Sequence, residues 1–224
     1  MMHSDTELRL ISEEIGYGIF ASRLIPKGTI TWALDALDLV LSPEAVAELM
    51  PLQTKFIERY AYIDDNGRYI LCWDIGKYCN HSCHPTTVPL GAICDVAVCD
   101  IHCGEEITCD YGTLNIRKDL LCRCQRKDCR KIVRSSDLIS LAGEIDRNVA
   151  ELVPLMRTVS QPLLKFMVPL HRSRVESILA GRTPIPSCME NECSSESMSP
   201  CRCAGGEEPG GLWMAMPGQR QERR

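Results

Sequence analysis

The chain has 224 residues, 45% of them hydrophobic, and a formal net charge of −5 at pH 7. A chain of this length buries one sizeable core, and a second full domain beside it would be cramped. The acidic balance argues against broad binding to the phosphate backbone of nucleic acids and agrees better with a basic protein partner. We therefore expect one domain with an appendage and no direct nucleic-acid binding.

The fourteen cysteines are the most unusual feature of the composition. The first residues, MMHSDTELRL, lack the basic start and apolar run of a signal peptide, and no stretch is long and apolar enough to cross a bilayer. Disulfides are therefore not expected, and some of the thiols are expected to bind a metal. The predicted compartment is reducing: cytoplasmic in a bacterium, or nuclear in a eukaryote.

Residues 8 to 133 consist of short apolar runs broken by Gly, Pro and Asp, which predicts many short strands and few helices. A helix is predicted to start at Ser42-Pro43-Glu44 and to run toward Tyr60 with an interruption at Pro51. Asp64-Asp65-Asn66-Gly67 predicts a hairpin, because Asn-Gly accepts the positive φ angles of a tight turn. The clearest predicted strands are Leu8–Ile11, Ile19–Ala21, Thr29–Trp32, Ile93–Val98 and Glu106–Cys109.

The pattern changes after Val133, where apolar residues recur at helical spacing. The first predicted helix is capped by Ser135-Ser136-Asp137, and a second runs from Leu170 to Ala180 and ends at Gly181. Together they predict a helical extension over residues 135–183 that packs on the core. Residues 184–224 are rich in Ser, Pro, Gly, Glu and Arg, which predicts a disordered tail. The periodic residues of the first helix are Leu138, Leu141, Ile145 and Val149.

Three separated segments carry the functional signal, and each is weak by itself because glycine pairs, polar loops and Asp-Tyr-Gly turns are common. In this order, and followed by Cys122-Arg123-Cys124 and Cys129, they resemble the SET domain of protein lysine methyltransferases. The resemblance extends over about residues 8 to 133. The three segments are Gly16-Tyr17-Gly18, Tyr78-Cys79-Asn80-His81-Ser82-Cys83 and Gly104-Glu105-Glu106-Ile107-Thr108-Cys109-Asp110-Tyr111-Gly112.

The resemblance implies a mostly β fold of several small sheets, followed here by the C-terminal helical extension. In this fold the Asn-His segment is threaded beneath the loop that carries the Asp-Tyr pair, which forms a knot-like crossing. The implied divisions are a SET domain over residues 8–114 and a post-SET zinc loop over residues 118–133, followed by the helical extension (135–183) and the tail (184–224). The compact arrangement looks most like the stand-alone SET proteins of bacteria.

The resemblance also implies a binding site for S-adenosylmethionine. Glycine lets the main chain approach a ligand closely, which suits the Gly-x-Gly segment to this role. Tyr111 matches the tyrosine whose hydroxyl points at the transferring methyl group, so it is the predicted catalytic residue. The alternative is a core tyrosine that caps a strand. The implied cofactor-binding residues are Gly16, Tyr17, Gly18, Asn80, His81 and Tyr111.

Two further residues complete the predicted catalytic set. The lysine channel should have an aromatic wall, for which Tyr60 or Tyr62 is the candidate, with simple strand packing as the alternative. Cys109 stands two residues before Tyr111, where many SET domains have Phe or Tyr, and this position helps to set the number of methyl groups added. Because cysteine is smaller and anchors water poorly, we predict a roomy pocket that allows dimethyl- or trimethyl-lysine.

The cysteines Cys122, Cys124 and Cys129 offer three thiolates on a short loop, whereas structural zinc takes four ligands. The resemblance implies that Cys83 is the fourth ligand, so that zinc would hold the loop over the active site. The alternative is three free thiols in a basic loop. Other cysteines are expected to be small buried fillers: Cys72, Cys79, Cys94, Cys99 and Cys103.

The predicted function is S-adenosylmethionine-dependent methylation of a lysine in a protein substrate. Lysine is protonated in water at neutral pH, with a pKa near 10.4, and a narrow apolar channel disfavours the ammonium form. One alternative is a catalytically silent SET module that binds the cofactor or a protein tail. Another is a zinc-stabilised adaptor that acts through residues 135–183. The sequence does not identify the substrate protein.

Overall fold

Short strands joined by tight turns make up most of the first 133 residues, in agreement with the broken apolar runs of the sequence. The computed structural model describes residues 1–193. Strands lie at β1 (Thr6–Ser12), β2 (Gly16–Ala21), β3 (Ile30–Ala33), β4 (Leu39–Leu41), β5 (Tyr62–Ile63), β6 (Tyr69–Leu71), β7 (Asn80–His81), β8 (Thr87–Leu90), β9 (Cys94–Ala97), β10 (Glu106–Cys109), β11 (Leu120–Leu121) and β12 (Ile132–Val133).

Helices occur in two groups, one before the hairpin and one after the cysteine loop. Ser42 caps the first helix by accepting a hydrogen bond from the Ala45 N–H (3.2 Å). This helix ends before Pro51, where a second helix begins, and both features were predicted. None of the helices in residues 1–193 combines the length and apolar character needed to span a membrane. The α-helices are α1 (Pro43–Ala47), α2 (Pro51–Tyr60), α3 (Asp137–Met156) and α4 (Pro169–Leu179).

The described strands form four small sheets, ordered β1-β2-β10-β7, β3-β9-β8, β4-β6-β5 and β11-β12. Within these sheets the β7–β10 pair is parallel, with Asn80 opposite Thr108 and His81 opposite Cys109. A parallel pair needs a long crossover connection, which residues 82–105 provide. The predicted hairpin joins β5 to β6, with Gly67 at a φ of +75°. The arrangement of several small sheets followed by helices is the one that the sequence predicted.

The largest apolar core lies between the β3-β9-β8 sheet and the two long helices. One face of α3 supplies side chains that are less than a tenth exposed, spaced three or four residues apart as a helical stripe requires. The helical extension therefore belongs to the main core of the protein and packs on the sheet as predicted. The stripe consists of Leu138, Ala142, Ile145, Val149, Leu152 and Met156.

The predicted disordered tail starts too early. Cys188–Asn191 forms a 3-10 turn, and Cys188 is buried in the main core. Asp146 of α3 accepts hydrogen bonds from Ser187 Oγ (2.6 Å) and from the Cys188 N–H (2.7 Å). The prediction was wrong because it was based on the polar composition of the segment, whereas Cys188 packs in the core as a small apolar side chain. The remainder of the predicted tail, residues 194–224, lies outside the described residues.

Two smaller predictions were also wrong. The Ser136 side chain makes no capping bond at α3; the Asp137 carboxylate instead accepts a hydrogen bond from the Arg134 N–H (3.0 Å). Cys99 and Cys103 are exposed rather than buried, because they lie in the turn between β9 and β10. The other three predicted fillers differ in degree, since Cys72 and Cys94 are buried and Cys79 is half-buried.

Candidate active site

The glycine pair of β2 and the asparagine of β7 come together although β10 lies between their strands in the sheet. Asn80 Nδ2 donates to the Tyr17 carbonyl (3.0 Å) and to Glu106 Oε1 (2.8 Å). A Cβ added to Gly18 would lie 2.6 Å from Glu106 Oε1 and 3.0 Å from Asn80 Nδ2, so this close approach requires glycine. The first of these hydrogen bonds holds the main chain of Tyr17. Asn80 of the second predicted segment thus contacts both the first segment, at Tyr17, and the third, at Glu106.

Four aromatic rings form a row from α2 to β2, which we call the aromatic row: Phe56, Tyr60, Tyr78 and Tyr17. Successive ring centroids are 4.8, 5.5 and 5.8 Å apart. In this row only the Tyr78 ring stands between the predicted channel residue Tyr60 and Tyr17 of the Gly-x-Gly segment. Tyr78 was not among the predicted site residues, and its only signal was its position next to the Cys-Asn-His segment. The row can bind a flat or cationic group along its exposed edge.

Tyr111 lies directly after β10 and is held at both its backbone and its side chain. Its hydroxyl donates to the Cys79 carbonyl (2.8 Å), and its N–H donates to His81 Nδ1 (3.1 Å). Burial raises the pKa of Tyr111 well above its ordinary value, so the hydroxyl remains protonated. Tyr111 therefore acts as a hydrogen-bond donor whose oxygen keeps lone pairs for a further contact, and it is not a general base.

His81 connects the Tyr111 backbone to the cysteine cluster. Because Nδ1 accepts the Tyr111 N–H, the proton of the neutral imidazole belongs on Nε2, which lies 3.4 Å from Cys83 Sγ. Burial lowers the pKa of His81, and the nearby Asp110 carboxylate only partly opposes this shift. The neutral ring is therefore the form at neutral pH, donating toward the sulfur of Cys83.

Cys109 is buried at the end of β10, and its thiol contacts the thiol of Cys79. This hydrogen bond and burial raise the pKa of Cys109 well above its usual value, so the side chain is a neutral thiol. Tyr62 packs its ring edge-on against Trp32 (5.6 Å) rather than joining the aromatic row. Neither contact identifies the wall of a lysine channel, so the assignment of Tyr60 to that wall stays a prediction.

The four cysteines predicted as zinc ligands lie together, with all four sulfur atoms within 4.8 Å of one another. A tetrahedron with metal–sulfur bonds of about 2.3 Å has sulfur–sulfur edges of about 3.8 Å. The Cys83–Cys122 separation of 3.6 Å and the Cys83–Cys129 separation of 4.0 Å match these edges. The donor set therefore fits zinc, whose four-thiolate sites are structural.

Backbone N–H groups point at the sulfur atoms of this cluster. Burial raises the pKa of Cys124, but hydrogen bonds from the backbone of Cys83 and Arg126 outweigh it and lower the pKa to about 6. The Arg130 and Lys131 N–H groups approach Cys83 Sγ (3.4 Å) and Cys129 Sγ (3.3 Å). The lowered pKa of Cys124 favours its thiolate form, which is the form that binds a metal, whereas burial raises the pKa of Cys122.

Arg130 forms what we call the Arg130 clamp with Asp110 and Asp137. Its guanidinium donates to both oxygens of Asp110 (2.6 and 2.8 Å) and to Asp137 Oδ2 (2.9 Å). The clamp joins the cysteine loop, the residue before Tyr111 and the first turn of α3. Sequence reasoning missed it, because a charged residue beside a metal ligand has no periodicity that would indicate its partners.

We expect Arg130→Gln to lower the free energy of unfolding by roughly 2 to 4 kcal/mol, because two buried carboxylates lose their cation. Arg130→Lys should fall in between, since it restores the charge without the bidentate fork. Urea unfolding at pH 7 measures both. Arg123→Gln is the matched control, because Arg123 pairs with Glu14 on the surface and should cost less than about 1 kcal/mol. Equal losses in the two glutamine variants would contradict the clamp.

Residues 16–112 match the family model of the SET domain. A search of curated proteins found no match. Among solved structures, the methyltransferase domain of human histone-lysine N-methyltransferase SETMAR is 22% identical, with 60% of this chain and 58% of that chain covered and a TM-score of 0.44. KRYPTONITE in complex with mCHG DNA and SAH is 21% identical, with coverages of 58% and 29% and a TM-score of 0.41.

The chain thus spans less than two thirds of each of these solved chains. The family match begins at the glycine pair of β2 and ends just after Tyr111, so it contains all three segments that the sequence singled out. The match to the SET-domain model thus covers less than half of the 224 residues. The cysteine loop and the two long helices lie outside the matched range.

Proposed function

We propose that this chain transfers a methyl group from S-adenosylmethionine to a lysine side chain of a protein. The observation that carries the proposal is the set of hydrogen bonds that joins the three segments: Asn80 to Tyr17, and Tyr111 to His81 and Cys79. Segments that are distant in sequence gain these contacts only in the folded chain. A binding module would have no use for a protonated tyrosine hydroxyl held at their junction.

The proposed cofactor site is the edge formed by Gly16, Tyr17, Gly18, Asn80 and His81, with Tyr111 beside it. A Cβ at Gly16 would meet no atom within 4 Å, so there is open space beside its Cα for a ligand. When bound, S-adenosylmethionine would supply a methyl group already activated by a sulfonium. The aromatic rings of Tyr17 and Tyr78 would attract that positive charge.

The proposed task of the remaining residues is to hold the lysine amine neutral and in line. The neutral thiol of Cys109 adds no charge to its side of the site, which disfavours an ammonium ion. The lone pairs of the Tyr111 oxygen can accept weak hydrogen bonds from a polarised methyl group or from the amine. The lysine loses its proton to solvent before transfer, and exclusion of water then keeps the amine nucleophilic.

We further propose that Cys83, Cys122, Cys124 and Cys129 hold a structural zinc ion. The ion would hold residues 118–133 beside the Asp110-Tyr111 segment. The acidic chain suits a lysine-rich protein substrate, whose identity stays open.

The test is incubation of the purified chain with S-adenosylmethionine carrying a labelled methyl group and a lysate as the source of substrates. Amino-acid analysis of labelled proteins should find methylated lysine. Cofactor binding by calorimetry, without labelled product on any substrate, would instead support the silent SET module. Label on a residue other than lysine would contradict the proposal directly.

The number of methyl groups added is expected to depend on Cys109. We predict that the natural chain makes dimethyl- or trimethyl-lysine, and that Cys109→Tyr shifts the product toward monomethyl-lysine, because a bulky hydroxyl-bearing ring fills the space beside the amine. Mass spectrometry of a methylated substrate measures the distribution. Cys109→Ala, which keeps the space open, is the control and should retain the higher products. A natural chain that stops at monomethyl-lysine, unchanged by Cys109→Tyr, would contradict the prediction.

A further inference from the structure

An apolar groove opens on the lobe formed by α1, α2 and the β4-β6-β5 sheet. It encloses about 420 Å³. Leu52 and Leu39 at its rim are 75% and 47% exposed, which is unusual for leucine side chains grouped on one surface. Such a surface indicates a partner that covers it. Its lining consists of one polar residue, Gln53, and of Leu39, Leu41, Leu49, Leu52, Phe56 and Ile57.

The last described residues lie on the same lobe. Asn115 Nδ2 donates to the carbonyls of Ile63 (3.1 Å) and Asn191 (2.6 Å), and the Cys193 N–H donates to Asn115 Oδ1 (3.1 Å). Ile63 shares one apolar cluster with Ile57, which lines the groove. Residues 194–224 therefore follow a residue that is joined through Asn115 to β5 of this lobe.

The sequence beyond this point contains one segment suited to the groove. Residues 194–224 are mostly Ser, Gly, Pro, Glu and Arg, but Leu212-Trp213-Met214-Ala215-Met216 forms an apolar run between a glycine pair and a proline. Leu212 follows Cys193 by nineteen residues. A stretch of nineteen residues spans up to about 60 Å when fully extended, about twice the diameter of a small domain.

We propose that residues 212–216 of the same chain occupy this groove, with the Trp213 ring and its apolar neighbours covering the exposed leucines. The tether raises the effective concentration of the segment to the millimolar range, so modest apolar contacts are enough to keep it bound. Phe56 lines the groove and is also the first ring of the aromatic row, so the bound segment borders the row. The inference concerns a surface outside the proposed methyl-transfer site and does not depend on that activity.

The test places the photoreactive residue p-benzoylphenylalanine at Trp213 of the full chain and identifies crosslinked peptides by mass spectrometry. We expect crosslinks within monomers to the groove residues of β4 and α2. Leu52→Ser should lower the crosslink yield at least fivefold. Leu170→Ser on α4 is the matched control, because Leu170 is similarly exposed (77%) but lies on another face, and it should leave the yield unchanged.

A second experiment places the photoreactive residue at Leu52 and keeps the natural Trp213. Its result therefore does not depend on a substitution in residues 212–216. Crosslinks from both experiments that join residues 212–216 to the groove support the proposal. Crosslinked dimers would show that a second copy supplies the segment, and crosslinks elsewhere, or none, would show that another partner covers the groove. Each of these outcomes overturns the proposal.

Discussion

Tyr111→Phe is expected to lower the rate of methyl transfer at least a hundredfold, while the affinity for S-adenosylmethionine changes by less than about fivefold. The hydroxyl is held by the Cys79 carbonyl at 2.8 Å and stays protonated, so its oxygen occupies a fixed position at the junction of the three segments. Phenylalanine keeps the ring but removes the hydroxyl oxygen that we propose contacts the reacting groups. Single-turnover measurements with labelled cofactor test the rate, and calorimetry tests the affinity.

The same substitution leaves the Cys79 carbonyl without its donor, which should cost about 1 to 3 kcal/mol of stability. A thermal unfolding curve must therefore accompany the kinetics, so that lost activity is not confused with lost folding. A folded Tyr111→Phe variant with a rate within tenfold of the natural chain would remove Tyr111 from the catalytic role. It would also favour the silent SET module, since binding alone would then account for the site.

Loss of one cysteine ligand is expected to have the largest effect on stability. Cys83→Ser should reduce bound zinc from about one ion per chain to a small fraction and lower the free energy of unfolding by several kcal/mol, because metal binding and loop folding are coupled. Hydrogen exchange in residues 118–133 should accelerate at the same time. Metal analysis of protein purified without chelator, followed by urea unfolding, measures the first two effects.

The exposed thiol of Cys99 provides the matched control. It lies outside the four-sulfur cluster, so Cys99→Ser should retain the zinc and the stability of the natural chain. Protein that contains no zinc when purified without chelator would contradict the metal assignment and favour free thiols. Equal loss of zinc in both serine variants would show that Cys83 has no special part in binding.

Much of the fold could be predicted because local signals and tertiary packing agree. Asn66-Gly67 forms a hairpin, and Pro51 divides α1 from α2, since each residue restricts the backbone at its own position. The stripe on α3 packs as its spacing indicated. The SET resemblance added what local patterns could not, because the approach of Gly18 to Asn80, and of Tyr111 to His81, depends on strand pairing between segments far apart in the sequence.

The features that sequence reasoning missed depend on partners without any fixed spacing. Arg130 finds Asp110 and Asp137 only when the cysteine loop and α3 are both in place. Tyr78 belongs to the aromatic row because a 3-10 turn places its ring between those of Tyr17 and Tyr60. Cys188 looked like part of a polar tail, yet one buried thiol and two hydrogen bonds to Asp146 are enough to order its turn.

The parallel pairing of β7 with β10 has a consequence for the order of folding. The segments that pair are separated by a long crossover, so their contact forms slowly compared with the hairpins and helices. Cys83 follows β7 directly, whereas the other three sulfurs lie within one short loop. In a refolding chain the three loop thiolates can therefore hold the proposed metal ion before the pairing of β7 with β10 brings Cys83 to them. Binding of the fourth sulfur would then indicate that β7 has paired with β10. The rate of metal release would measure how often this strand pair opens.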